Sequence, residues 1–252
     1  MVGTFGRSGR RADGLIGTWV KIPSLETVEL LGHAGFDFVV IDMEHAPHSL
    51  EGAYRLVFAA QAMGMAALVR LPDRSEAEIQ RLLDGGADGL LVPHVSDLET
   101  AQRITSAMVF APEGTRGLGT TSRAGCWGLL PMSDYVRHGN ERTLRIIQLE
   151  AWEVLQEAEA YLAIDSVSGV FVGLGDLLLS SGRKPADEET QAMVERVAQA
   201  ARAAGKVSGI AASDVEEARR YLALGYSLVM VSNDATIFGK AASHCVEQVR
   251  GS

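Results

Sequence analysis

Short apolar runs recur along the chain, and each is followed by a longer stretch in which apolar residues return every three or four positions. The runs read as strands: LIGTWVK (15–21), DFVVIDMEH (37–45), AALVRLP (66–72), GLLVPHV (89–95), RIIQLE (145–150), GVFVGLGD (169–176), KVSGIAA (206–212) and SLVMVSND (227–234). Their interiors are almost unbroken Val, Ile and Leu, the mark of strands buried on both faces. The stretches between them, such as SEAEIQRLLDGG (75–86) and SDVEEARRYLALG (213–225), have the period of amphipathic helices. Three open on a serine followed three residues later by glutamate, at Ser75/Glu78, Ser96/Glu99 and Ser213/Glu216, which predicts a capping box at each. Several close on glycine just before the next strand, in AGFD, GGADG, AAGK and LGYS, where a left-handed residue ends a helix at little cost.

Eight such units predict a single (β/α)8 TIM barrel over residues 15–252. A doubly wound open sheet is the alternative, but it would usually carry a glycine-rich phosphate loop after its first strand, where this chain reads TWVKIPS. Residues 1–14, MVGTFGRSGRRADG, lack the apolar centre of a signal peptide and read as a flexible leader. The last helix, DATIFGKAASHCVEQV, places Ile237, Ala241, Cys245 and Val249 on one stripe, which can pack on its own barrel or on a neighbour.

Composition narrows the function. A formal net charge of -9 argues against an electrostatic grip on nucleic acid or anionic membrane. Two distant cysteines, Cys126 and Cys245, argue against a disulfide framework or a cysteine-based zinc site and make the cytoplasm the expected compartment. No apolar run reaches the roughly 18 residues that span a bilayer.

In such barrels chemistry sits at the C-terminal ends of the strands. Those ends hold Trp19 and Lys21; Asp42, Glu44 and His45; Arg70; His94; Gln148 and Glu150; and Asp176. Neighbouring strands lie about 4.8 Å apart, so Glu150 and Asp176 could share one ion. Oxygen donors without a thiol suit a hard divalent cation, although Asp176 could equally cap a turn. Arg70 leaves a buried strand and needs an oxygen partner, either Glu44 or a substrate oxygen. Histidine is the residue whose unperturbed side chain can exchange a proton near neutrality, which makes His45 the natural acid–base group, with a loop hydrogen bond as the plainer alternative. His94 shares the rim but has no comparable neighbours in sequence. Asp84 ends a helix, where the dipole disfavours its charge, so a partner elsewhere would explain it. Gly173 and Gly175 precede Asp176 and would let an anion approach backbone N–H groups. A Schiff-base lysine is the competing chemistry, and only Lys21 is placed for it.

Taken in order, FDFVVIDMEHAPHS, LVRLP, RLLDGGADGLLVPHV, EGTRGLG, IIQLE and GVFVGLGDL resemble the HpcH/HpaI aldolase family across nearly all of the chain after residue 14. The resemblance implies a class II pyruvate aldolase on a (β/α)8 barrel, using Mg²⁺, Mn²⁺ or Co²⁺ to cleave a 4-hydroxy-2-oxo acid into pyruvate and an aldehyde. It makes His45 the acid–base histidine, with Asp42 and Glu44 behind it, and Arg70 the enolate-stabilising arginine. Asp84 becomes the aspartate that raises the basicity of that histidine, commonly from an adjacent subunit. Gln148 contacts pyruvate, Glu150 and Asp176 hold the metal, Gly175 binds the pyruvate carboxylate, and Trp19 lines the pocket wall. It further implies a homohexamer, a trimer of dimers, with the C-terminal helix exchanged between subunits.

Two departures stand out. Gly173-Leu174-Gly175-Asp176 replaces the family's usual G-P-A-D or G-P-S-D, placing leucine bulk beside the pyruvate site, and GTTSRAGCWG (119–128) keeps only Arg123. Relatives on this scaffold that decarboxylate oxaloacetate, or join the enolate to another partner, form an alternative activity. An isomerase barrel with phosphate over SGIAAS and VSND, and a non-catalytic barrel, are further alternatives from other classes.

Overall fold

Each expected apolar run becomes a strand in the computed structural model, which describes residues 14–251. The strands are β1 (Leu15–Val20), β2 (Phe38–Asp42), β3 (Ala66–Arg70), β4 (Gly89–Val92), β5 (Leu144–Leu149), β6 (Gly169–Val172), β7 (Val207–Ala212) and β8 (Leu228–Asn233). All pair in parallel with their sequence neighbours, and β8 returns to pair with β1, Leu228 beside Leu15, closing the barrel. Closure leaves no free sheet edge. The leader expected over residues 1–14 lies, except for Gly14, outside those described.

The helices are α1 (Leu25–Ala34), α2 (Leu50–Ala62), α3 (Glu76–Asp84), α4 (Leu98–Ser106), α5 (Met132–Arg142), α6 (Trp152–Gln156), α7 (Ala158–Leu162), α8 (Leu174–Ser181), α9 (Glu188–Ala203), α10 (Val215–Leu224) and α11 (Asp234–Arg250). Gly35 and Gly225 end α1 and α10 in the left-handed region, as expected. The expected capping boxes shift. Asp97 and Asp214, one residue past the serines, accept the N–H of Thr100 and Glu217. Ser75 holds the cap position of α3 without a side-chain bond. A carboxylate is the stronger acceptor beside the positive end of a helix, so it displaces the neighbouring hydroxyl.

Most strands stop earlier than expected, β2, β4 and β6 by three or more residues. After β2, Asp42 Oδ1 accepts the backbone N–H of Glu44 at 3.2 Å and of His45 at 3.1 Å, turning the chain out of the ladder. β6 stops at Val172, and Asp176 lies in the first turn of α8.

The barrel interior is filled by Phe38, Val40, Ala66, Leu68, Leu91, Ile146, Phe171, Leu228 and Met230, separate from the larger core between strands and helices. A Cβ at Gly17 or Gly209 would lie 2.4 Å or 2.5 Å from the ring of Phe38 or Phe171, so glycine there makes room for these rings inside the barrel. Burying each such ring stabilises the fold by about 1.5–3 kcal/mol.

α11 leaves this packing. Asp234 is its one buried residue, holding the N–H groups of Lys21 and Ile22. Beyond it Ile237 is 40%, Phe238 71% and Val249 89% exposed, so the predicted stripe does not lie on its own barrel. Among the described residues no helix is long and apolar enough to cross a membrane.

Candidate active site

A chain of alternating charges crosses the C-terminal mouth of the barrel. Asp42 ends β2 and is fully buried. It takes Lys21 Nζ at 2.5 Å and two hydrogen bonds from Arg70, Nε to Oδ1 at 3.0 Å and Nη2 to Oδ2 at 2.8 Å. Burial alone would raise its carboxyl pKa, but the hydrogen bonds and charge of Arg70, with the Lys21 bond, hold it far below the ordinary range. The two readings of Arg70 meet here. Its remaining Nη1 lies 2.9 Å from Glu44 Oε2, so the carboxylate partners are real, and its guanidinium stacks on Trp19 at 4.2 Å from the ring centroid. Trp19 in turn meets Phe171 edge-on. Arg70 is therefore clamped from two sides and by an aromatic face. Lys21 is committed to Asp42, which removes the one lysine placed for a Schiff base.

His94, which the sequence set apart only by its place on the rim, continues the chain. Its Nε2 lies 2.8 Å from Glu44 Oε1 and its Nδ1 2.9 Å from Glu150 Oε1. The backbone at His94 is left-handed, with φ 56°, and this conformation swings the ring between the two acids. Nothing in the local pattern LLVPHVS announces that backbone.

Glu150 stands just past the end of β5. Gln148 Nε2 donates to its Oε2 at 2.6 Å, while Gln148 Oε1 is buried without a partner. Burial raises the Glu150 carboxyl pKa, and the charges of Glu44 and Asp176 raise it further, against the hydrogen bond and charge of His94. Gly173 makes room for this pair: a Cβ there would lie 2.8 Å from Gln148 Nε2 and 3.0 Å from Glu150 Cβ. A Cβ on Gly175 would meet nothing within 4 Å. Leu174, expected beside the pyruvate site, is partly buried in the first turn of α8 and packs against the core between strands and helices.

His45 is exposed, its Nε2 3.8 Å from Glu44 Oε1. Asp84 does not join it within one chain. α3 runs back from the end of β3, so its last residue lies at the opposite end of the barrel. There Asp84 Oδ1 accepts from Arg116 Nη2 at 2.9 Å and from the Tyr135 hydroxyl at 3.1 Å. Arg123 is nearby, donating to the Gly85 carbonyl and to Gln61.

The donor set fits a divalent cation. Glu150 is partly buried and Asp176 exposed, and the charge of Asp176 adds to that of Glu44 in raising the Glu150 pKa, an excess of negative charge that an ion would relieve. Among the described residues no three acidic, imidazole or thiol groups are arranged to hold a metal, so a site here would rest on two protein carboxylates, with water and substrate completing it.

The family model of HpcH/HpaI aldolase/citrate lyase matches residues 15–241. A 5-keto-4-deoxy-D-glucarate aldolase of Enterobacter sp. (strain 638) is 33% identical, over 93% of this chain and 92% of that protein. A 4-hydroxy-2-oxo-heptane-1,7-dioate aldolase of Klebsiella pneumoniae is 36% identical, over 90% of this chain and 86% of that protein. Among solved structures, an HpcH/HpaI aldolase/citrate lyase family protein from Burkholderia cenocepacia J2315 superimposes with a TM-score of 0.86 at 32% identity, covering 96% of each chain.

Proposed function

This chain belongs to the HpcH/HpaI aldolase/citrate lyase family, and on that premise we propose that it is a metal-dependent pyruvate aldolase. The substrates named for the two relatives share one pattern, a 2-oxo acid with a hydroxyl two carbons further on. Breaking the bond between C3 and C4 of such an acid yields pyruvate and an aldehyde. The observation that carries the reading to this chain is Glu150: a half-buried carboxylate raised by burial and by Glu44 and Asp176, beside a buried amide oxygen of Gln148 that has no partner.

Glu150 and Asp176 would hold the ion, Mg²⁺, Mn²⁺ or Co²⁺, which when bound would supply a Lewis acid to polarise the 2-oxo group and acidify the neighbouring carbon. Arg70, immobilised by Asp42, Glu44 and Trp19, presents its free N–H groups to the enolate oxygen. Gln148 Oε1 orients the bound acid. The N–H groups at the start of α8, Gly175 among them, receive its carboxylate. His45 moves the proton, taking it from the C4 hydroxyl in cleavage and from pyruvate C3 in synthesis.

The assembly is part of the same proposal. A homohexamer built as a trimer of dimers would cover the exposed apolar side chains of α11 by exchange and would bring Asp84 of one subunit to His45 of another. A monomeric mass in solution rejects it.

The direct test is exchange of pyruvate C3 protons for deuterium in D₂O, with Mg²⁺, Mn²⁺ or Co²⁺ and then with EDTA. It requires no knowledge of the aldehyde. Ion-dependent exchange that is lost in His45→Ala and Glu150→Ala establishes enolate formation by these residues. Absence of exchange with every ion, or full exchange in Glu150→Ala, refutes the reading.

A further inference from the structure

His94 brings three groups to two carboxylates. Its backbone N–H donates to Glu150 Oε1 at 2.5 Å, its Nδ1 lies 2.9 Å from the same oxygen, and its Nε2 lies 2.8 Å from Glu44 Oε1. A left-handed backbone is costly for a residue with a Cβ, and it is maintained here by these contacts and by Arg74 Nη1, which donates to the His94 carbonyl at 3.1 Å. The His94 side chain is 60% exposed. It is held by the carboxylates and not by packing.

Both oxygens of Glu150 are thereby occupied, Oε1 by His94 and Oε2 by Gln148. A carboxylate oxygen has two lone pairs: Oε2 takes one donor from Gln148, whereas Oε1 meets both the N–H and the Nδ1 of His94, so an ion that engages Oε1 must displace one of these partners. Gln148 is buried at 3% exposure and has no room to withdraw. The His94 ring borders solvent and can swing away, so it is the partner that yields.

We propose that His94 is a latch on the metal-binding carboxylate: its ring occupies Glu150 Oε1, gives way to a divalent ion that engages this oxygen, and so sets how tightly the ion is kept. The inference rests on reading Glu150 as a ligand of that ion. It makes His94 a positioning residue and a competitor of the ion, and it predicts the opposite sign to a histidine that ligates the metal.

The test is direct titration of EDTA-stripped enzyme with Mn²⁺, followed by the electron paramagnetic resonance signal of the free ion, with no turnover required. His94→Asn tolerates the left-handed backbone and keeps the N–H to Glu150 while withdrawing the ring. His94→Gly removes the side chain with no backbone strain and serves if the asparagine variant does not fold. Both variants are expected to bind Mn²⁺ about tenfold more tightly than the wild type, the worth of a hydrogen bond to a charged group. Unchanged affinity overturns the latch, and weaker affinity overturns it in favour of a ligating ring. Glu150→Ala separates the two readings: if it binds Mn²⁺ as the wild type does, Glu150 is not the ligand, and the latch falls with that assignment.

Discussion

Arg70 grips Asp42 at both carboxylate oxygens, at 3.0 and 2.8 Å, with the two side chains 7% and 0% exposed. Breaking a buried pair from one side costs about 3–5 kcal/mol where the other charge is stranded; Arg70 keeps Glu44 at 2.9 Å, so the cost here should fall below that range. Asp42→Asn should lower the urea midpoint at pH 7 accordingly and abolish pyruvate exchange, because Arg70 loses its aim. The pH dependence follows from the lowered carboxyl pKa. A depressed folded-state pKa gives stability that is complete above the unfolded value, about 3.9, and is lost as pH falls through the folded value. The stability gap between wild type and Asp42→Asn should therefore be flat from neutrality to about pH 5 and should narrow only in stronger acid.

The glycines before Asp176 should respond oppositely to alanine. At Gly173 a Cβ would collide with Gln148 and Glu150, so Gly173→Ala should cost about 1–3 kcal/mol and weaken Mn²⁺ binding. At Gly175 the space is open, and the alanine variant should keep both its Tm and its ion affinity. Thermal melts with and without Mn²⁺ check both outcomes.

Asp84 and His45 stand at opposite ends of one barrel, so a shared role requires two subunits. Asp84→Asn and His45→Ala should each be nearly inactive alone. After unfolding and refolding together they should recover exchange, because a mixed oligomer contains sites with an intact histidine from one subunit and an intact aspartate from another. No recovery would confine Asp84 to its bonds with Arg116 and Tyr135.

At alkaline pH the tyrosines decide. Burial raises the pKa of the Tyr226 phenol, which donates to the Val194 carbonyl at 2.8 Å, and of the Tyr221 phenol, which donates to Glu217 at 2.7 Å. Such groups stabilise the fold fully below the unfolded pKa of about 10 and lose that contribution as pH rises toward the folded value. Tyr226→Phe should be about 1 kcal/mol less stable at pH 7 but should lose less stability than the wild type above pH 10. Urea midpoints across that range measure the difference.

The barrel was legible because apolar runs such as FVVI and the glycines ending the helices are local signals. Reading the strand ends also named residues that the fold brings together at one mouth: Asp42, Glu44, Arg70, Gln148 and Glu150 are linked by direct contacts or through His94. His94 escaped because its role depends on a left-handed backbone after Pro93 that no periodicity encodes. The serine boxes misled at Ser96 and Ser213 because the next residue in each case is an aspartate, a stronger acceptor for the same N–H groups. Leu174 was placed beside the pocket by its position in a motif, and no periodicity announces that it also packs on the core from the first turn of α8. The stripe on α11 was correct as a pattern, but a pattern on one helix does not say which surface it meets.

The plug of Phe38, Phe171, Leu68 and Met230 inside the barrel bears on kinetics as well as on stability. With its axis filled, the barrel has one mouth, and everything that enters must leave by the way it came. The piece held deepest, beside Gln148 and Arg70, cannot depart before the piece nearer the opening. Cleavage should thus release the aldehyde first and pyruvate second. Pyruvate should then inhibit competitively against the intact acid and the aldehyde noncompetitively, a pattern that steady-state product inhibition resolves.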